Sequence, residues 1–406
     1  MKLKRMAAAC AACLMLSGCG GSKTLETTLP PETLPPVVQT APPETTLPVP
    51  ETTVPPTTEP EIVLEAGVTV VADGDTLESG SVLYEGIAYV KACELFAALD
   101  SGEWSGDDDT GYTLIWKGEA FAVRPENEGL LRDGATMVLS SPVLTRRDGI
   151  WIPVEEVCGM LDISLLPDSA KDTLYCTSIA VDWDWEKGVR IPIIMYHGVT
   201  DDVWGAEELF VSPSDMEAQI RYLVENGYDT ITFEDWDHLE DFDKPVMLTF
   251  DDGYMDNYQE LFPILQKYNA KATIFAITVS VDKDERTMTS EQAWEMHHSG
   301  LVSIQSHTYN HPHLSECSAE ELNNQMLWSK LHVARMTGYE PFVICYPYGD
   351  SDAEARDIAA RYYNFGLNMT GGLYTTSDDV FQIPRYYVAR NTSLSEFIDM
   401  VDEAGR

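Results

Sequence analysis

The chain has 406 residues, of which 67 are Asp or Glu and 26 are Lys or Arg, giving a formal charge of −41. That balance excludes a nucleic-acid binder of the usual basic kind, because phosphate contact needs cations in excess. It is compatible with a neutral or cationic glycan and with solubility outside the cell.

Lys2, Lys4 and Arg5 form a positive leader, and Met6 to Leu16 is an apolar, small-residue core too short to span a bilayer. The run ends in Leu16-Ser17-Gly18-Cys19, which resembles a bacterial lipobox. Residues 1–18 are therefore expected to be a lipoprotein signal peptide. Cleavage would leave Cys19 as a lipid-carrying N-terminus, holding the protein on the extracellular face of the cell membrane without a transmembrane helix. An ordinary secretory signal is the alternative. Cys10 and Cys13 fall inside the leader, so their CxxC spacing implies no metal or redox site. The five cysteines beyond Cys19 are odd in number and lack metal spacing, which predicts mostly buried thiols with at most one bridge in the N-terminal region.

Residues 19–61 read as a disordered tether. Between Ser22 and Pro60 there are eleven prolines and eleven threonines, with Thr-Leu-Pro-Pro and Pro-Glu-Thr-Thr repeated and no apolar periodicity. At about 3.1 Å per residue in polyproline II form the tether reaches roughly 120 Å, into a cell wall.

From 62 to 180 short β-like runs alternate with Gly and Asp. Tyr89–Asp100 aligns with Trp151–Asp162, and Asp73-Gly74 with Asp133-Gly134, an internal repeat in which each copy predicts a hairpin followed by one short helix. The region resembles the small α+β domain at the N-terminus of some copper amine oxidases, used more widely as a stalk module. It contains no histidine, so copper binding does not carry over, and a spacer or wall-contact role is expected.

Residues 190–406 alternate apolar strands with amphipathic helices, the signature of an α/β fold. The pattern predicts an incomplete (β/α) barrel with fewer than eight strands, preceded by the small α+β domain. Ile191–Tyr196, Val246–Phe250, Thr273–Ile277, Val302–Gln305 and Phe342–Tyr346 read as strands. The helix after the first begins at Ser212-Pro213, with a capping box expected between Ser214 and Glu217, and ends at Gly227. Met216, Ile220, Leu223 and Val224 are expected on its buried face.

Four motifs follow strands. Thr249-Phe250-Asp251-Asp252-Gly253 puts two carboxylates in different directions at a strand end. In Ser306-His307-Thr308-Tyr309-Asn310-His311 two histidines at the spacing of one helical turn can share a cation. Together with one carboxylate they make the three-ligand set of a catalytic zinc site. Pro347-Tyr348-Gly349 forms a turn that can aim a backbone N–H at an oxyanion, and His197 ends the first strand in Tyr196-His197-Gly198. His297 and His298, at a predicted helix end, read as structural.

In this order the motifs resemble the polysaccharide deacetylase family, also called the NodB-homology or carbohydrate esterase family 4 group, over about Ile191 to Val388. The Tyr-His-Gly-Val segment ahead of the Asp-Asp motif is similar to the circularly permuted branch that includes poly-N-acetylglucosamine deacetylases. The resemblance implies that Asp251 is the general base, that Asp252, His307 and His311 hold a divalent metal, taken as zinc, and that His197 is the general acid. Pro347 and Tyr348 would line the substrate and oxyanion pocket. The arginine that opens the third motif in many members would fall at Val343, and the later Asp-x-x-Asp-Trp and Leu-x-His motifs are not evident. Arg385 is the candidate to orient Asp251 or to bind substrate.

The expected activity is removal of N-acetyl groups from an amino-sugar polymer, peptidoglycan or poly-N-acetylglucosamine. An O-acetyl esterase and a silent wall-glycan-binding protein are the alternatives. A glycosidase is a third class, but it has no use for His307 and His311.

Overall fold

The computed structural model describes residues 65–99, 102–125, 129–137, 139–178 and 188–405. The leader, the lipidation candidate Cys19 and the tether to residue 61 lie outside the described residues. All of the described residues belong to one compact unit. Among them no helix is long and apolar enough to cross a membrane.

Residues 65–178 form three small sheets around two short helices. The strand–helix pair Ile87–Lys91 and Ala92–Ala98 is matched by Gly149–Pro153 and Val154–Met160. Their strands pair antiparallel, with Val90 opposite Ile152, Tyr89 opposite Pro153 and Lys91 opposite Trp151. Because Val90 and Ile152 are equivalent positions in the repeat, the two copies meet about a local twofold axis. Asp73-Gly74 and Asp133-Gly134 both occupy two-residue hairpin turns with positive φ at each residue, the geometry that suits the twist of the flanking strands. The core is apolar, built on Phe96, Trp116, Phe121, Ile152 and Val157.

Residues 193–387 form the barrel. Its parallel strands are β1 (Ile193–Tyr196), β2 (Asp229–Ile231), β3 (Pro245–Phe250), β4 (Ala272–Ala276), β5 (Val302–Ser306), β6 (Val343–Cys345), β7 (Phe365–Leu367) and β8 (Tyr386–Tyr387). The strand order is β7-β6-β5-β4-β3-β1-β8, with β2 paired to the start of β3. The segment leading into β8 also bridges β7, since Ile383 N donates to Gly366 O at 3.0 Å and Asn368 N to Ile383 O at 2.9 Å. A ring of seven strands therefore closes, and β2 is an eighth strand on its flank. Pro192 divides the predicted first strand: Arg190–Ile191 pairs with Tyr374–Thr375, outside the ring.

Helix α1 (Pro213–Glu225) is capped by Ser212, whose Oγ accepts from Asp215 N at 3.1 Å and donates to Asp215 Oδ2 at 2.6 Å. This replaces the expected Ser214–Glu217 box, because Pro213 takes the first helical position and sets the cap at Ser212, two residues earlier. Glu217 instead binds Lys267 at 2.5 Å across the helix pair. Val224 is exposed and Gln219 takes its place on the buried face, where it accepts from the Tyr196 hydroxyl at 2.7 Å. The long helix α2 (Ala319–Thr337) joins the barrel to the N-terminal sheets. Arg335 makes a bidentate pair with Asp168 at 2.5 and 2.8 Å, beside an apolar patch of Val71, Leu166, Tyr175, Leu331 and Ala334.

His297 and His298 lie near this seam. Both ring-pack against Tyr339, and His297 Nδ1 accepts from Ile304 N at 3.2 Å, a structural use of both histidines. The five described cysteines are all free thiols.

Candidate active site

Strand alternation delivers most of the site. In β3 the residues Val246, Leu248 and Phe250 pack outward against the helices, while Met247 faces the barrel interior. The inward row therefore continues through Thr249 to Asp251 at the C-terminal mouth. The same alternation carries Ile193 and Met195 on to His197, Ser303 and Gln305 on to His307, Val343 on to Cys345, and Ile383 on to Arg385.

Asp251 and Arg385 form one half of the mouth. Arg385 Nη1 and Nη2 donate to Asp251 Oδ1 and Oδ2 at 2.7 and 2.8 Å, a planar fork matched to a carboxylate. Both residues are only 1% exposed. The guanidinium is further held by Asn368 O at 3.1 Å and Thr249 Oγ1 at 3.1 Å, and its Nη2 lies 3.0 Å from Cys345 Sγ. Burial alone would raise the Asp251 carboxyl, but Arg385 outweighs it and holds the group well below the usual carboxylate range. Burial pushes the Cys345 thiol up, so it is a neutral neighbour, 3.6 Å from each carboxylate oxygen. Val343 is not where an arginine would meet Asp251. It lies deeper in the barrel, and Cys345, two residues further along the same inward row, is the β6 residue that touches the carboxylate.

Asp252, His307 and His311 form the other half. Asp252 Oδ1 lies 3.5 Å from His307 Nε2 and 3.7 Å from His311 Nε2. The two rings meet edge-on with centroids 4.7 Å apart. They do not share a helical turn: the segment after β5 is a loop in which Thr308 and His311 have φ of 68° and 61°. Asp252 itself has φ 73°, followed by Gly253 at 71°. This left-handed step removes Asp252 from the strand's alternation and turns it toward the histidines. At φ 71° a side chain at Gly253 would be strained, so the turn favours glycine there.

The donor set fits a divalent cation. His307 Nδ1 lies 2.8 Å from Cys345 O, a contact that fixes the proton on Nδ1 and leaves Nε2 with its lone pair facing Asp252. Burial, and then the neighbouring His307, lower His311 to about 4, so its imidazole is neutral at pH 7. One carboxylate oxygen and two imidazole nitrogens, all within 4.8 Å of one another, thus converge as acceptors. Such a cluster suits a cation, and Asp-His-His is a set that leaves positions for water and substrate.

His197 is 8% exposed, packs edge-on to Tyr387, and its Nδ1 has no hydrogen-bond partner among the described residues. Burial lowers its pKa, against the pull of Asp251 and Asp252. Pro347 is buried at the mouth, and Tyr348 follows it with φ 58° and its ring exposed. Sequence reasoning missed Cys345 as a contact of Asp251 and missed His313, whose ring stacks on Tyr348. It also missed Tyr254, which stands beside Asp252 and packs against Trp204. The inward parity of β6 and the position of Tyr254 just after Gly253 were the available signals for two of these.

Comparison with known proteins agrees with this geometry. A family model described as polysaccharide deacetylase matches residues 239–364. Bacillus subtilis YxkH, named as a polysaccharide deacetylase, is 33% identical over 218 residues, covering 52% of this chain and 76% of that protein. The poly-β-1,6-N-acetyl-D-glucosamine N-deacetylase of Escherichia coli K12 is 26% identical over 258 residues, 51% of this chain and 38% of that protein. The crystal structure of BC0361, a polysaccharide deacetylase from Bacillus cereus, superposes with a TM-score of 0.50 at 21% identity. It covers 74% of this chain and 100% of that one, a likeness of fold.

Proposed function

The chain belongs to the polysaccharide deacetylase family, and from that premise we propose that it removes N-acetyl groups from an amino-sugar polymer at the cell surface. The observation that carries this reading is the convergence of Asp252, His307 and His311 as three acceptors, with Asp251 held ionised beside them by Arg385. A divalent cation in that cradle, zinc in this reading, supplies Lewis acidity for an acetamide carbonyl and for water.

Asp251 takes the proton of the attacking water, which its position and ionised state suit. Arg385 keeps the carboxylate in one orientation, so little reorganisation is needed as the proton moves. The Tyr348 N–H donates to the oxyanion that develops on the acetyl carbon's oxygen. An amine anion does not leave, so a proton must reach the nitrogen. His197, neutral at rest through burial, stands near both carboxylates to relay it. The name of the E. coli relative supports a poly-N-acetylglucosamine substrate, and an overall charge of −41 disfavours strongly anionic polymers. The lipobox-like Cys19, the tether and the stalk-like region support an anchored enzyme that works at a distance from the bilayer.

The test is acetate release from N-acetylglucosamine oligomers by the purified protein. Loss of release with chelator, its restoration by zinc and its absence in Asp252→Ala are the expected results. Binding without acetate, or new reducing ends, would refute the reading.

A further inference from the structure

We propose that His313 and Tyr348 form an aromatic shelf at the rim of the site, which binds the pyranose ring next to the sugar being deacetylated; this rests on the deacetylase reading above. Tyr348 is 57% exposed, more than any other large hydrophobic side chain among the described residues. Its backbone is left-handed at φ 58°, a conformation that costs a non-glycine residue backbone strain. An exposed ring held at such a cost contributes little to a core.

What the turn achieves is placement. The Tyr348 ring lies parallel to His313, with centroids 4.1 Å apart and planes at 16°, and it stands edge-on to His311 at 4.5 Å. His313 is fixed from its other edge, with Nδ1 3.4 Å from Asp350 Oδ2, an oxygen that also accepts from Ser315 Oγ at 2.7 Å. Half of the His313 side chain, 51%, nevertheless remains exposed. Two rigid rings are thus presented to solvent directly beside the cation cradle, ordered before any ligand arrives.

A pyranose has one apolar face of C–H groups and a rim of hydroxyls. Flat aromatic surfaces take such a face while the hydroxyls stay in water, through dispersion and C–H contacts that need no charge. Preorganised rings avoid most of the ordering cost of binding. Because Tyr348 touches His311, which in turn faces Asp252, the shelf adjoins the cradle and in this proposal meets the neighbouring unit of the chain. It therefore favours a polymer over a single sugar.

The experiment measures binding and turnover of β-1,6-linked N-acetylglucosamine monomer and pentamer by the full chain and by His313→Ala, His313→Asn and His313→Phe. The shelf predicts that Ala and Asn weaken pentamer binding and raise pentamer KM five- to tenfold, with kcat changed less than twofold. Phe restores both, and monomer binding hardly moves. If His313 only ties the loop to Asp350, Asn behaves as wild type and Phe as Ala, which overturns the shelf. Unchanged pentamer binding in Ala also overturns it. Wild-type protein that binds the pentamer through His313 yet releases no acetate would retain the shelf and sink the deacetylase reading instead. Melting curves and the zinc-induced shift in them show that each variant is folded and keeps its cradle.

Discussion

Asp251 and Asp252 are adjacent in sequence, yet they belong to electrostatically opposite halves of the barrel mouth. Asp251 is complete within the protein: both oxygens are taken by Arg385, and the pair is buried. Asp252 faces the imidazoles of His307 and His311 and pairs with no Lys or Arg among the described residues. The difference teaches how one Asp-Asp step divides two tasks. One carboxylate is kept ionised by a permanent partner, and the other joins two histidines in a donor set that fits a cation.

The sharpest way to break this comparison is to neutralise each carboxylate in turn. Asp252→Asn is expected to lower acetate release by about 10³-fold or more and to abolish stabilisation by zinc. If the wild type binds zinc as proposed, that stabilisation is expected to be about 2.7 kcal/mol at a hundredfold excess over Kd. Asp251→Asn is expected to lose about 10²- to 10⁴-fold in kcat, the range of a lost general base, while keeping the zinc shift. Melting with and without zinc, alongside an acetate assay, checks both. An equal zinc shift in the two variants would erase the distinction.

Arg385 tests the closed half. Arg385→Ala leaves a buried carboxylate without its counter-ion and is expected to destabilise the fold by about 3–5 kcal/mol. Arg385→Lys retains charge but loses the fork, so kcat should fall more than stability does. Denaturant unfolding and kcat measured on the same samples separate the two effects.

The smallest expected effect lies away from the mouth. His297 is pushed down to about 3 by burial, below its unfolded value near 6.5. The unfolded chain therefore binds a proton that the folded chain refuses. This contribution is fully present above about pH 6.5 and is lost as the pH falls toward 3. His297→Gln should flatten the slope of stability between pH 6.5 and 4, measured as the shift in urea midpoint, and leave the zinc shift intact.

The candidate site was legible where strand alternation writes it. Asp251, His197, His307 and Arg385 all extend inward rows, and a period of two can be read from residues alone. The cradle was legible as residue types but not as geometry. The spacing of His307 and His311 suggested a helical turn, whereas a loop with two left-handed residues brings them together. Val343 stands where many family members carry an arginine, and the guanidinium beside Asp251 is that of the candidate Arg385, from the segment that enters the last strand. Ring closure brings that strand beside β7 and β1, a contact between positions far apart in the chain.

The sequence by itself determined the alternation of strands and helices, the twofold repeat of the N-terminal region and the identity of the groups at the barrel mouth. These depend on local periodicity and on chemistry that each side chain carries with it. Tertiary structure alone decided the two-pronged geometry with which Arg385 meets Asp251, that Cys345 is its neighbour, and that His313 stacks on Tyr348. Each of those contacts joins separate elements, and their distances are set by barrel closure and by left-handed turns whose strain only the surrounding packing can hold.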